Sequence, residues 1–206
     1  MPPRAMWTGQ LRLSLVSFGV RMYAATESAN RVSMNQLHKG CHQRVRQQLV
    51  CPAHGPVNRE DIARGYEYVA LTDHSSGRGI ANGLSNERLL EQIRLLRSLQ
   101  QRYPITIFCG SEVDIRADGT LDYPDDLLAQ LDLVVASVHS AMGQDSQTMT
   151  QRIIRAMQHP AVTIIGHPST RLLSRREPVQ FDLEALLQAA RETGTETQES
   201  RLRTGH

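Results

Sequence analysis

Lysine is all but missing from this chain: nearly all of its 23 basic residues are arginine, a bias of the kind genome composition imposes. Aromatic residues make up only 4% of the sequence. Stacking platforms of the kind that grip single-stranded nucleic acid are therefore not evident. Three cysteines, an odd number, argue against a disulfide framework and for a reducing cytoplasm. No apolar run approaches the roughly 18 residues of a membrane helix. After Met1-Pro2-Pro3-Arg4 no apolar signal core follows, because Arg12 interrupts it. What is present suffices for a core: 206 residues, 40% of them hydrophobic, enough for one domain or two.

The most informative pattern is a repetition. Four short apolar runs each lead into a side chain that binds metals. Tyr68–Leu71 precedes Thr72-Asp73-His74, and Ile105–Phe108 precedes Gly110-Ser111-Glu112-Val113-Asp114. Leu133–Val138 precedes His139, and Val162–Ile165 precedes Gly166-His167-Pro168. Runs of this length without alternation read as strands buried on both faces. Helical patterns lie between and after them, and the reading predicts helices over Glu87–Gln101, Gln147–Gln158 and Leu183–Thr193. Asn86 is read as opening the first, whose leucines belong to the core. Alternation of strand and helix implies parallel strands with outer helices, an α/β fold whose C-terminal strand ends share one face. Three histidines and a glutamate converging there suit Zn, Mn or Fe.

These segments resemble a known family. Tyr66-Glu67-Tyr68-Val69-Ala70-Leu71-Thr72-Asp73-His74-Ser75, Ala81-Asn82-Gly83-Leu84, Gly110–Ile115, Ala136-Ser137-Val138-His139-Ser140 and Gly166–Leu173 are similar, in order and spacing, to the PHP (polymerase and histidinol phosphatase) domain. The version at the C-terminus of bacterial family-X DNA polymerases matches best, from about Ile62 to Thr195. The resemblance implies a distorted β/α barrel holding a metal cluster, with phosphoesterase and 3′–5′ exonuclease chemistry. It puts His74, Glu112, His139 and His167 on metal-ligand positions, with Mn or Zn expected and Mg or Fe as alternatives.

Two features of that family have no counterpart here. It opens with a His-x-His strand and closes with an Asp-x-His pair, and neither pair exists in this sequence. The expectation is therefore an incomplete barrel with impaired activity, followed by a polar, disordered tail at 196–206. Asp73 and Arg171 are the candidates for catalytic roles. Asp73 either binds metal or orients a ligand, and Asp114 shares the strand face of Glu112. Arg171, Arg175 and Arg176 follow Gly166-His167-Pro168 and either hold a phosphate or form a solvated loop. Cys109 reads as core.

The first 65 residues resemble something else. Met6-Trp7-Thr8-Gly9, Leu15–Glu27 and Gln36-Leu37-His38-Lys39 are similar to the N-terminus of bacterial Ku, the DNA-end-binding ring of non-homologous end joining. The two resemblances meet at Gly65-Tyr66-Glu67-Tyr68. The expected layout is a small β-rich unit over 1–65 and a partial PHP domain over 66–195. Strands are expected at Gln10–Val16, Ser17–Tyr23 and Val45–Val50. Charge divides at the same place: residues 1–66 carry nine basic and three acidic side chains, residues 67–206 fourteen and eighteen. A basic part suits phosphates and an acidic part suits divalent cations, although two ordinary solvated surfaces give the same count. Cys41, Cys51 and His54 form a candidate zinc knuckle; the alternative is a turn with incidental thiols. By family, DNA is the expected partner, DNA repair the expected process and the bacterial nucleoid the expected place, with Ku-type end binding as the alternative function.

Overall fold

The computed structural model describes residues 21–24, 68–76, 83–171 and 176–197. The readings at Gln10–Val16, Val45–Val50, Cys41, Cys51 and His54 lie outside these residues, as does Arg175. In chain order the elements are β1 (Arg21–Ala24), β2 (Tyr68–His74), α1 (Asn86–Gln100), β3 (Thr106–Asp114), α2 (Asp125–Leu128), β4 (Leu133–Ser137), α3 (Ser146–Met157), β5 (Ile164–Gly166), α4 (Leu183–Thr193) and β6 (Glu196–Thr197). The fold is α/β. One sheet runs in the order β1-β2-β3-β4-β5-β6. From β2 to β6 every neighbouring pair is parallel. Strictly sequential order means that each crossover returns beside the strand it left, the winding of a β/α barrel.

Strand alternation divides the side chains between two faces. Leu71, Cys109, Val113, Val134, Ala136 and Ile165 join Leu89, Ile93, Met149 and Ile153 of the helices in the larger core. Ala70, Phe108, Leu133, Val135 and Ile164 form a smaller cluster on the opposite face. His74, Glu112 and Asp114 fall in the same strand phase as this second cluster. The helices therefore seal one face while the strand ends of the other carry the polar groups. Leu89 is fully buried where α1 crosses the sheet. Leu89→Ala should lower unfolding stability by about 2–5 kcal/mol, measured by urea denaturation; a loss well below that range would mean that α1 is loosely docked.

Local chemistry sets the helix ends. Ser85 Oγ accepts a hydrogen bond from Arg88 N, so the cap of α1 lies one residue before Asn86, where the sequence reading began it. Asp145 caps α3 and Asp182 caps α4 in the same way. Gly194 ends α4 with φ +68°, the left-handed conformation that glycine adopts without strain.

Two segments differ from the sequence reading. Arg21–Ala24, read as part of a separate N-terminal unit, pairs antiparallel with Tyr68–Leu71 of β2. The outer edge of β2 presents a row of backbone donors and acceptors, and β1 satisfies them. Glu196 and Thr197, read as the start of the disordered tail, form β6. They register with Ile164 and Ile165, and Glu196 N donates to Thr163 O at 2.9 Å. Their polarity misled the reading, because a two-residue edge strand needs backbone pairing rather than an apolar face.

Candidate metal centre

The parallel register brings the expected donors together. His74 and Glu112 are direct partners across β2 and β3. Glu112 is 3% exposed and stands at the centre of three imidazoles. Its Oε1 lies 2.9 Å from His167 Nε2 and 3.2 Å from His139 Nε2, and its Oε2 lies 3.8 Å from His74 Nδ1. Ring centroids are 5.2 Å apart for both His74–His139 and His139–His167. One donor atom each from His74, Glu112 and His139 falls within 4.8 Å of the others.

Each imidazole is held by its backbone. Leu84 N donates to His74 O at 2.8 Å, and Tyr123 Oη donates to Leu84 O at 2.7 Å. Gly83 makes that approach possible: a Cβ there would sit 1.9 Å from Ser75 O. Asp114 Oδ1 accepts from His139 N at 3.0 Å and lies 3.6 Å from His139 Nδ1, while its Oδ2 accepts from Ser140 Oγ at 3.2 Å. Asp114 thus grips the residue that carries a ligand and orients its ring. His167 follows Gly166 and would point to the helix side by simple alternation. Its φ of +30° breaks the alternation, and a turn closed by Thr170 N donating to His167 O at 2.8 Å holds it. A non-glycine residue held in this region is strained, and such strain concentrates at functional sites.

The residues fit a divalent cation. His139 Nε2 is buried and makes no aligned hydrogen bond, although Glu112 Oε1 is close. A ring nitrogen and a carboxylate oxygen aimed at shared space call for a proton or a cation between them. Imidazole and carboxylate are the donors that zinc and manganese accept. Burial alone would raise the Glu112 carboxyl. The His139 and His167 ring nitrogens, with the charges of His74 and His167, outweigh burial and hold it far below the ordinary value of 4.5. A depressed native value means that ionised Glu112 contributes stability above 4.5 and loses it as pH falls below that value. The chelator-treated chain should therefore lose unfolding free energy more steeply than Glu112→Gln between about pH 5 and about pH 3. Parallel losses in the two proteins would remove Glu112 from that account.

Other predicted site residues are placed differently. Asp73 alternates away from His74, and its charge acts on Cys109 and Tyr123, on the helix side. Arg171 is exposed just beyond the His167 turn. Arg176 donates its Nε and a terminal nitrogen to Thr170 O at 2.9 and 2.6 Å, so the guanidinium braces its own loop. Cys109 is buried and desolvation pushes its thiol up to about 12, which suits a core residue and not a nucleophile. The sequence reading missed Ser75, whose Oγ accepts from Asp114 N at 3.1 Å. It also missed Arg152, although a charged residue on the same stripe as Met149, Ile153 and Ala156 was a visible anomaly.

Comparison with known proteins divides the chain in two. Residues 12–75 match the family model of the Ku70/Ku80 beta-barrel domain. The non-homologous end joining protein Ku of Koribacter versatilis is 46% identical over 65 residues, 31% of this chain and 22% of that protein. The DNA polymerase/3′-5′ exonuclease PolX of Bacillus subtilis is 42% identical over 135 residues, 65% of this chain and 24% of the relative. A probable phosphatase of Thermoanaerobacter sp. is 33% identical over 141 residues, 66% of this chain and 53% of that protein. The chain joins a Ku-like segment to a PHP-like one. It spans about half the length of the phosphatase and less than a quarter of the polymerase and of Ku. Both β1 and β2 fall within the Ku match, and β2 also carries His74. The junction is therefore a shared strand. Among the described residues no helix is long and apolar enough to cross a membrane.

Proposed function

We propose that the PHP-like segment is a metal-dependent phosphoesterase of 3′–5′ exonuclease ancestry with impaired activity, in the bacterial cytoplasm at the nucleoid, with DNA ends as its partner. The observation that carries this reading is the set of donors from half-buried His74, buried Glu112 and half-buried His139 within 4.8 Å of one another. His167 stands against the same carboxylate oxygen as His139. These four residues would hold Mn or Zn, with Mg or Fe as alternatives. A divalent cation there supplies Lewis-acid polarisation of a phosphoryl group. The chain's own part is to fix the donors: Asp114 orients His139, Leu84 anchors His74, and the strained turn presents His167. The exposed Arg171, with Arg175, is the proposed phosphate contact, because guanidinium matches phosphate geometry, and Arg176, bonded to Thr170 O, would hold their loop. For Asp73 the position one residue before His74 supports a role in setting the strand end rather than in the chemistry.

Metal content after purification, together with metal-dependent hydrolysis of a chromogenic phosphodiester, tests this reading. A chain that retains no stoichiometric metal and hydrolyses nothing would refute it.

A second reading rests on the Ku match at 12–75. In it the basic N-terminal segment binds double-stranded DNA ends, and Cys41, Cys51 and His54 hold a zinc ion. Gel-shift competition between linear and circular DNA addresses the first part. Residual zinc after Cys51→Ser addresses the second.

A further inference from the structure

We propose that Arg152 is a positioning residue that sets His139 in the metal centre, an inference that rests on the metal reading above. Arg152 lies on α3 and is only 2% exposed. One guanidinium nitrogen donates to Ser140 O at 3.0 Å, Ala141 O at 3.2 Å and Gln144 Oε1 at 3.1 Å. All three acceptors lie in the loop that leaves β4 immediately after His139. The other terminal nitrogen donates to the carbonyl of Ile115, the residue after Asp114. A single planar group therefore ties the end of β3 to the loop after β4. The same two segments are joined a second time by Asp114, whose carboxylate accepts from His139 N and Ser140 Oγ. His139 is gripped by the Asp114 tie and directly precedes the residues that Arg152 holds.

The loop needs holding. Ala141 has φ +47°, a conformation that costs a non-glycine residue energy and persists only where its surroundings enforce it. The Arg152 contact to Ala141 O is such a restraint. Burying a guanidinium is expensive unless its donors are engaged. Four acceptors engage its two terminal nitrogens, all of them on the two segments that carry Asp114 and His139, while Nε makes no aligned hydrogen bond. Lysine could not replace it. An ammonium is a point donor and cannot reach Ile115 O on one side and the loop carbonyls on the other.

The test is cobalt binding by the full chain, followed through its visible absorption, which reports both affinity and coordination geometry. Arg152→Lys should weaken cobalt binding by about 10–100-fold and alter the absorption band. Arg97→Lys is the control, because Arg97 makes a two-point pair with Asp132, at 2.7 Å for each contact, away from the centre. It should leave affinity and band unchanged whatever it does to the melting temperature. Adding Ala141→Gly to Arg152→Lys should recover part of the affinity by removing the strain. Arg152→Lys with unchanged affinity and band, or an equal loss in Arg97→Lys, would overturn the proposal. If Arg152→Lys does not fold, Gln144→Ala loosens the same clamp from the acceptor side, and unchanged cobalt affinity there would overturn it too. Failure of the unsubstituted chain to bind cobalt sinks the metal reading itself, whereas binding that is indifferent to Arg152 sinks this inference alone.

Discussion

Glu112→Gln is expected to weaken divalent metal binding by on the order of 100-fold or more, since even outer partners of metal ligands contribute 10–100-fold. The carboxylate is the one anionic group that the three imidazoles share, with Nε2 of His139 and His167 at 3.2 and 2.9 Å from the same oxygen. The amide keeps the volume and one acceptor oxygen but removes the charge that offsets the cation. Its NH2 group would also face ring nitrogens at one of the two oxygen positions. Circular dichroism should be unchanged, because Glu112 is a face residue of a strand whose backbone pairs on both sides. Equilibrium dialysis against manganese or zinc measures the loss. A Gln variant that binds as tightly as the unsubstituted chain would show that Glu112 is a structural acceptor for His167 and no ligand.

The sheet and its donors were legible because parallel strands write themselves twice. An unbroken apolar run marks each buried strand, and the polar residue that ends it marks the common rim. Leu133–Ser137 and its following His139 illustrate both. What the sequence withheld is what holds the ligands in place. His167 lies in the wrong strand phase for the site, and only its positive φ turns the ring toward Glu112; no residue type announces that. Asp114 was legible as a neighbour of Glu112 on one face, but its role depends on a backbone N–H 25 positions away. Arg152 was visible as a charge on an apolar stripe, but its partners, the carbonyls of Ile115, Ser140 and Ala141, come from segments that only the fold brings to it. Asp73 shows the opposite error. Adjacency to His74 suggested a shared site, yet neighbours on a strand point to opposite faces.

The Ku-like segment changes the meaning of an incomplete barrel. Without an opening His-x-His strand the outer edge of β2 would be free, and a free strand edge invites pairing with another chain. Arg21–Ala24 occupies that edge, antiparallel. It supplies backbone hydrogen bonds, and none of its four residues is His, Asp, Glu or Cys. Sheet completion and site completion, which a single strand would provide together, are separated in this chain.

Exonuclease activity should accordingly be weak or absent, even where metal binds. The described residues present a single compact group of donors, His74, Glu112 and His139, with His167 beside it. Three protein ligands and an open position suffice for one catalytic ion. In-line attack on a DNA phosphodiester by a two-metal route needs a second ion at about 3.5–4 Å, and no second donor group stands at that rim among the described residues. One ion is enough to hydrolyse an activated aryl phosphate ester, whose leaving group needs little help. It is a poor match for a DNA 3′ end, whose alkoxide leaving group needs charge stabilisation of its own. The expected result is slow, metal-dependent turnover of the chromogenic ester, lost in His139→Ala, with little release of nucleotides from labelled DNA. Rapid manganese-dependent degradation of a 3′ end by the 206-residue chain, abolished by the same substitution, would show that these four residues support the full chemistry.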